Sequence, residues 1–194
     1  MIFSGFKRLV LCIICGLIIS GCGIPPEEAA EKGLKLYENN QLKKAYPLLE
    51  RAHLGGIEKP ELALCLAYCK ITIDNDPSGA IEILRDSALR YPDYAPTYYQ
   101  LGLISYNFGP VEDNKNLEQA IHFARKAVEL GSDEWLYHDN LGTYLYLIGQ
   151  PDSALVHFKI AVQLNPMDKK LTERVEKLEL KLSQRDSAAI TEMK

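Results

Sequence analysis

The side chains able to carry chemistry are few and scattered along this chain of 194 residues. Its histidines, His53, His122, His138 and His157, stand far outside the spacing of about three to five residues that sets two imidazoles on one metal ion from a single helix. Each therefore reads as a surface or core histidine. Cys65 and Cys69 fall on one helix face, where parallel side-chain vectors oppose a disulfide, and two thiols are too few for a zinc site. They read as small buried hydrophobes. The acidic turn Val111-Glu112-Asp113-Asn114 lacks the alternating oxygen ligands of a calcium loop, and it reads as a solvated turn. No phosphate-cradling glycine loop or nucleophile elbow occurs in the sequence. The expectation is a protein that is not an enzyme and that holds no metal and no cofactor.

One further cysteine sits in a more specific setting. Lys7 and Arg8 lead into Leu9–Ile19, a run without a charge, which is the layout of an export signal. As a helix this run would rise about 16 Å at roughly 1.5 Å per residue, against a hydrocarbon core of about 30 Å, so it is a poor permanent span. It ends in Ile19-Ser20-Gly21-Cys22. That stretch resembles the lipobox of bacterial lipoproteins, an aliphatic residue and two small ones before the invariant cysteine.

The resemblance implies that residues 1–21 are a signal peptide cleaved before Cys22, that the Cys22 sulfur carries diacylglycerol, and that the new amino terminus is acylated by palmitate-type chains. Small side chains let an extended backbone enter a peptidase site, and a thiol supplies a soft nucleophile. Several acyl chains, each contributing about 0.8 kcal/mol per buried CH₂, hold a soluble domain on a membrane far more firmly than one. The alternative, an ordinary secretory signal or a weak anchor, needs no cysteine at this place. Gly23, rather than aspartate, after the cysteine is similar to lipoproteins sent to the outer membrane in enterobacteria, so the expected address is the outer membrane, facing the periplasm. Residues 22–26 form the lipidated cysteine and a short linker. Gly23-Ile24-Pro25-Pro26 reaches about 15 Å at roughly 3.1 Å per residue, which keeps the first folded element near the bilayer.

Composition sets outer limits on partners. Lysine plus arginine number 22 against 26 aspartates and glutamates, for a net charge of −4, and the leader contains only basic charges. An acidic chain without a basic stripe argues against nucleic acid and against electrostatic docking on anionic lipid. The residues after the leader suffice for one domain with a real core.

Internal periodicity organises the remainder. Four segments each carry a small residue, then an alanine, then another small residue: Gly33, Ala45, Ala52; Cys65, Ala80, Ser87; Gly102, Ala120, Ala127; Gly142, Ala154, Ala161. Four after each alanine stands Leu49, Leu84, Ala124 or Phe158, and twelve after it Ile57, Pro92, Ser132 or Pro166. At these residues the chain resembles the tetratricopeptide repeat (TPR), whose Trp, Leu-Gly, Tyr, Ala, Phe and Pro recur at fixed offsets in a helix-turn-helix. Leu141–Pro166 fits best, and the resemblance covers roughly Glu27–Pro166.

The resemblance implies an all-α fold, an α-α superhelix of about four helix hairpins over 27–58, 59–93, 94–133 and 134–166. Glycine or alanine at each crossing lets two antiparallel helices approach. Asp76 with Pro77, and Pro151, start second helices, while Gly55, Gly131, Pro92 and Pro166 stop them.

Spacing departs from the family pattern in the middle. The small residue precedes its alanine by 12 in the first and fourth units, by 15 in the second and by 18 in the third, so the turns there are expected to be longer. The larger insertion is 109–116. In the second unit Cys65 is taken as the small residue because this places Tyr68 on the family's tyrosine; Ala67 is the alternative register. After Pro166, Leu171, Val175, Leu178 and Leu182 share one face. Residues 167–183 are therefore expected to form a helix capping the exposed end of the stack, with a free coiled-coil seam as the alternative and a disordered tail at 184–194.

In this family the first helix of each pair lines a concave binding face. Carried onto this chain, the positions three before, one after and four after the small residue give a partner groove of Leu34, Tyr37, Leu62, Leu66, Tyr99, Leu103, Tyr106 and Tyr146, flanked by Ala30, Cys69, Asp139 and Thr143. Tyrosine suits reversible recognition, since its ring supplies area at low rotamer cost and its hydroxyl can bond to water or peptide. The same side chains could instead pack between neighbouring repeats. Repeats that clamp a partner's terminal carboxylate use lysines and asparagines where leucine and tyrosine stand here. The groove is thus expected to take an extended or helical protein segment with apolar anchors, in a membrane-anchored scaffold or assembly factor of the bacterial envelope. The alternative is a noncatalytic accessory subunit of a cell-wall, outer-membrane or pilus assembly machine.

Overall fold

Helix starts and stops follow local chemistry. In the computed structural model, which describes residues 23–110 and 114–192, the side chain of Asp76 accepts a hydrogen bond from the Gly79 amide at 2.8 Å, with Pro77 first in the helix. Proline stands at the first or second position of four other helices, where its missing N–H is no loss. Nine α-helices result among the described residues: α1 (Pro26–Glu38), α2 (Leu42–Leu54), α3 (Pro60–Cys69), α4 (Pro77–Arg90), α5 (Ala95–Phe108), α6 (Lys115–Leu130), α7 (Trp135–Leu147), α8 (Pro151–Leu164) and α9 (Lys169–Glu192). Cys22 and Val111–Asp113 lie outside the described residues. No described helix is long and apolar enough to cross a membrane.

The chain divides after Ile57 into two units. In the first, α1 packs on α2 and buries Ala29, Ala30 and Gly33 against Ala45, Leu49 and Ala52. A Cβ on Gly33 would lie 2.9 Å from Leu49 Cδ2, so the bare backbone is what admits the leucine. Asn40, at φ 56°, turns the chain between the two helices.

The second unit, from Glu58 onward, stacks three hairpins, α3/α4, α5/α6 and α7/α8, with α4 also against α5 and α6 against α7. The fold is all-α and of the TPR kind. One core cluster joins Leu117, Ala120, Ile121 and Ala124 of α6 to Leu141, Tyr144 and Leu145 of α7 and to Ala154 and Phe158 of α8. Leu178 and Leu182 of α9 complete that cluster, with Val175 packed beside them, and Leu171 is 2 % exposed. The apolar stripe thus covers the end of the stack, each buried leucine contributing about 1.5–3 kcal/mol.

Two expectations need correcting. Residues 184–192 are not an irregular tail but the last turns of α9. Helix-favouring residues continue past Leu182, and Arg185 makes two bonds to the Asp152 carboxylate, at 2.9 and 3.0 Å, that tie this stretch to the start of α8. The longer turn of the second unit is also largely helical: Lys70–Asp74 extend α3 as a π-helical turn, ended by Asn75 at φ 53°. In the 109–116 segment, Asn116 is buried and its amide donates to the Tyr106 carbonyl at 3.3 Å.

Candidate functional site

Three first helices of the second unit share one register. Leu101-Gly102 of α5 and Leu141-Gly142 of α7 are buried, each glycine against its second helix. Leu66-Ala67 stands in the same relation in α3, because Ala67 joins the cluster of Ala80 and Leu84. Ala67, not Cys65, is therefore the crossing residue. It precedes Ala80 by 13, one more than the 12 between Gly142 and Ala154. A π turn adds one residue to a helix without breaking it, and the turn at Lys70–Asp74 absorbs the excess.

This register moves two of the expected groove residues into the core. Leu62 and Leu66 are 1 % and 0 % exposed, and with Cys69 they repeat as Thr97, Leu101, Ile104 in α5 and Tyr137, Leu141, Tyr144 in α7, all buried. Burial pushes the Cys69 thiol up, as befits a packing residue. The face positions of α3 are instead Leu64, Tyr68 and Ile71, all partly or largely exposed. The Leu-small dipeptide carried the signal; the tyrosine at 68 pointed two residues away from it.

On α5 the face consists of Tyr99, Leu103 and Tyr106, all half-buried, and on α7 of Asp139, Thr143 and Tyr146. The two α5 tyrosines lean on buried partners from α7: Tyr99 on Tyr137 and Tyr106 on Tyr144, each at 5.2 Å between centroids. They pack between repeats and remain partly exposed. Burial, then the neighbouring Tyr99 and Tyr106, push the Tyr144 hydroxyl far up, and its oxygen has no hydrogen-bond partner among the described residues. On α1, Leu34 and Tyr37 are half-buried while Ala30 is buried.

The α7 end of the face meets α9. Arg174 pairs with Asp139, whose carboxyl burial raises and Arg174 only partly restores. The Arg174 guanidinium also lies over the Phe158 ring at 5.1 Å. Lys181 donates to the Tyr146 hydroxyl at 3.0 Å and stands 5.4 Å from its ring centre. Between these contacts remains a cavity of about 410 Å³.

The fold also joins two histidines that are 19 residues apart. His138 Nδ1 and His157 Nδ1 are 3.1 Å apart, and His138 Nε2 is 3.1 Å from the Ser132 carbonyl oxygen. A carbonyl only accepts, which assigns a proton to His138 Nε2; with both rings neutral, His138 Nδ1 accepts from His157 Nδ1–H. Burial, then His138, then Arg125, hold the His157 imidazole below its ordinary range. Their places in the repeat, four before Gly142 and three after Ala154, were the available signal. Among the described residues no group of three or more potential metal ligands occurs.

No protein-family model matches the chain, and a search of curated proteins gave no match. Solved structures do align. MamA, residues 41 to the end, from Desulfovibrio magneticus RS-1 superposes with a TM-score of 0.67 at 14 % identity, over 86 % of this chain and 90 % of that one. TTC0263, a thermophilic TPR protein in Thermus thermophilus, gives 0.63 at 22 % identity over 84 % and 86 %. YrrB, described as a TPR protein with an unusual peptide-binding site, gives 0.62 at 18 % identity over 78 % and 74 %. At these identities the likeness is one of fold: the helix hairpins of this chain are those of tetratricopeptide-repeat proteins.

Proposed function

We propose that this protein is a membrane-anchored scaffold of the bacterial cell envelope that binds a segment of another protein on the face of its first helices, without catalysis of its own. The observation that carries the reading is the run of partly exposed apolar and aromatic side chains on that face, Leu64, Tyr68, Tyr99, Leu103, Tyr106 and Tyr146, held on rigid helices by the buried Leu-small crossings behind it. YrrB, with its peptide-binding site, shows that this fold can serve that purpose. The anchor is supported by sequence alone, the basic lead, the apolar run and Ile19-Ser20-Gly21-Cys22, and the outer-membrane, periplasm-facing address by Gly23 after the cysteine. A role as noncatalytic accessory subunit of an envelope assembly machine would use the same face.

Photocrosslinking in living cells tests this. A photoreactive phenylalanine at position 68 or 103 is expected to capture a discrete partner protein, whereas one at Leu89 or Val156, exposed on second helices, captures none. Equal capture from both sets would overturn the reading. Mass spectrometry of the amino-terminal peptide tests the anchor separately: an unmodified Cys22 would remove it.

A further inference from the structure

The cavity between α7, α8 and α9 differs from the rest of the face in charge. Its floor is apolar, from Leu147, Phe158, Leu178 and the ring of Tyr146, and its charged lining is Arg174, Lys177 and Lys181, with no carboxylate among the lining residues. This occurs in a chain with a net charge of −4. It occurs also on a helix that carries Glu173, Glu176 and Glu179, none of which lines the cavity. Elsewhere α9 spends its charges on neighbours: Glu179 pairs with Lys159 at 2.6 Å and Arg185 with Asp152. Arg174 is likewise engaged by Asp139. Lys181, by contrast, meets only the neutral Tyr146 among the described residues, and Lys177 has Glu173 no closer than 3.9 Å, both side chains being largely exposed.

Two weakly neutralised ammonium groups above an apolar floor are complementary to an anion joined to an apolar group. The volume lies within the range of about 300–1,000 Å³ typical of ligand pockets, enough for an anchor side chain with its flanking backbone. α9 contacts the face residues Asp139 and Tyr146 directly, so a segment lying along α5 and α7 would run into it.

We propose that this cavity seats an acidic segment of the partner protein, an apolar side chain on the Phe158–Leu178 floor and an adjacent carboxylate against Lys177 and Lys181. The inference rests on the peptide-binding reading above and deepens it. The charge comes from α9, outside the repeats, which is why the repeat positions alone point to a mostly apolar groove without lysines.

The test is selection of random peptides displayed on phage against the full-length protein in detergent, followed by synthesis of the selected sequences. The wild type is expected to enrich peptides with Asp or Glu beside Leu, Ile or Phe. The double variant Lys177→Glu, Lys181→Glu, at exposed sites that leave the fold intact by circular dichroism, should weaken those peptides about ten-fold or more and shift the enrichment to basic–apolar sequences. Peptides whose affinity ignores the reversal but falls on Leu103→Ser would overturn this inference and leave the binding face standing. Selection of no peptide by the wild type would overturn both. Binding of decanoate but of no peptide would make the cavity an amphiphile site and likewise overturn the proposal.

Discussion

The hairpins α5/α6 and α7/α8 solve one packing problem in two ways. In α7/α8, Phe158 lies against Gly142, where an added Cβ would come within 2.7 Å of the ring. In α5/α6 the matching residue is Ala124, and a Cβ on Gly102 would meet nothing closer than the Ala120 carbonyl oxygen at 3.4 Å. In α7/α8 the large residue on the second helix leaves no room for a Cβ at the crossing, and in α5/α6 the small one leaves room for it. The α1/α2 hairpin follows the first case, since a Cβ on Gly33 would lie 2.9 Å from Leu49 Cδ2, whereas α3/α4 departs from it by seating Leu84 with Ala67 at the crossing. The small position is thus half of a size pair and cannot be judged from its own helix.

The comparison can be broken most directly at the ring. Phe158→Ala empties a site that is 3 % exposed and should cost about 3–5 kcal/mol, read from urea unfolding; a loss under about 1 kcal/mol would mean that the ring does not hold these helices apart. Next comes the glycine pair. Gly142→Ala should destabilise by about 1–3 kcal/mol through overpacking, while Gly102→Ala should stabilise by roughly 0.5–1 kcal/mol because alanine favours helix and nothing obstructs it. Equal effects at the two sites would remove the distinction.

The smallest effect concerns what only α7/α8 contains. Where that hairpin pairs His138 with His157, α5/α6 has Tyr98 and Phe123 at the matching positions. The fold lowers the His157 pKa from its ordinary 6.5, so the unfolded chain takes up the proton first as pH falls. Stability is full above that value and declines as pH drops through it towards the folded pKa. The Tm should therefore fall between about pH 7 and 5.5, and His157→Gln should flatten that dependence relative to wild type; identical pH profiles for the two would show that the pair is inert.

Much of this was legible in the sequence. The alanine followed seven residues later by a second small residue recurs in four units, because close helix crossings leave a compositional mark at a fixed distance along the second helix. Leu171, Val175, Leu178 and Leu182 mark α9 as amphipathic for the same kind of reason. The site was less legible. The Cys65 register, set by Tyr68, lies two residues from the Ala67 register and so places Leu62 and Leu66 on the α3 face; the π turn at Lys70–Asp74 absorbs one residue with no breaker residue to announce it. α9 ran past 183 because the turns beyond the apolar stripe are held by Arg185 and Asp152, 33 apart in the chain.

By itself the sequence determined the helices, their pairing in hairpins and the amphipathic stripe that closes the stack, since propensity, caps and apolar period all act within a few turns of chain. Only the tertiary structure decided which tyrosines stay half-open, that His138 meets His157, and that Lys177 and Lys181 line one cavity with Phe158 and Tyr146. Those outcomes depend on the rotation of one helix about its axis relative to another. That rotation is set by the sum of side-chain volumes at each crossing, a quantity that no single segment contains.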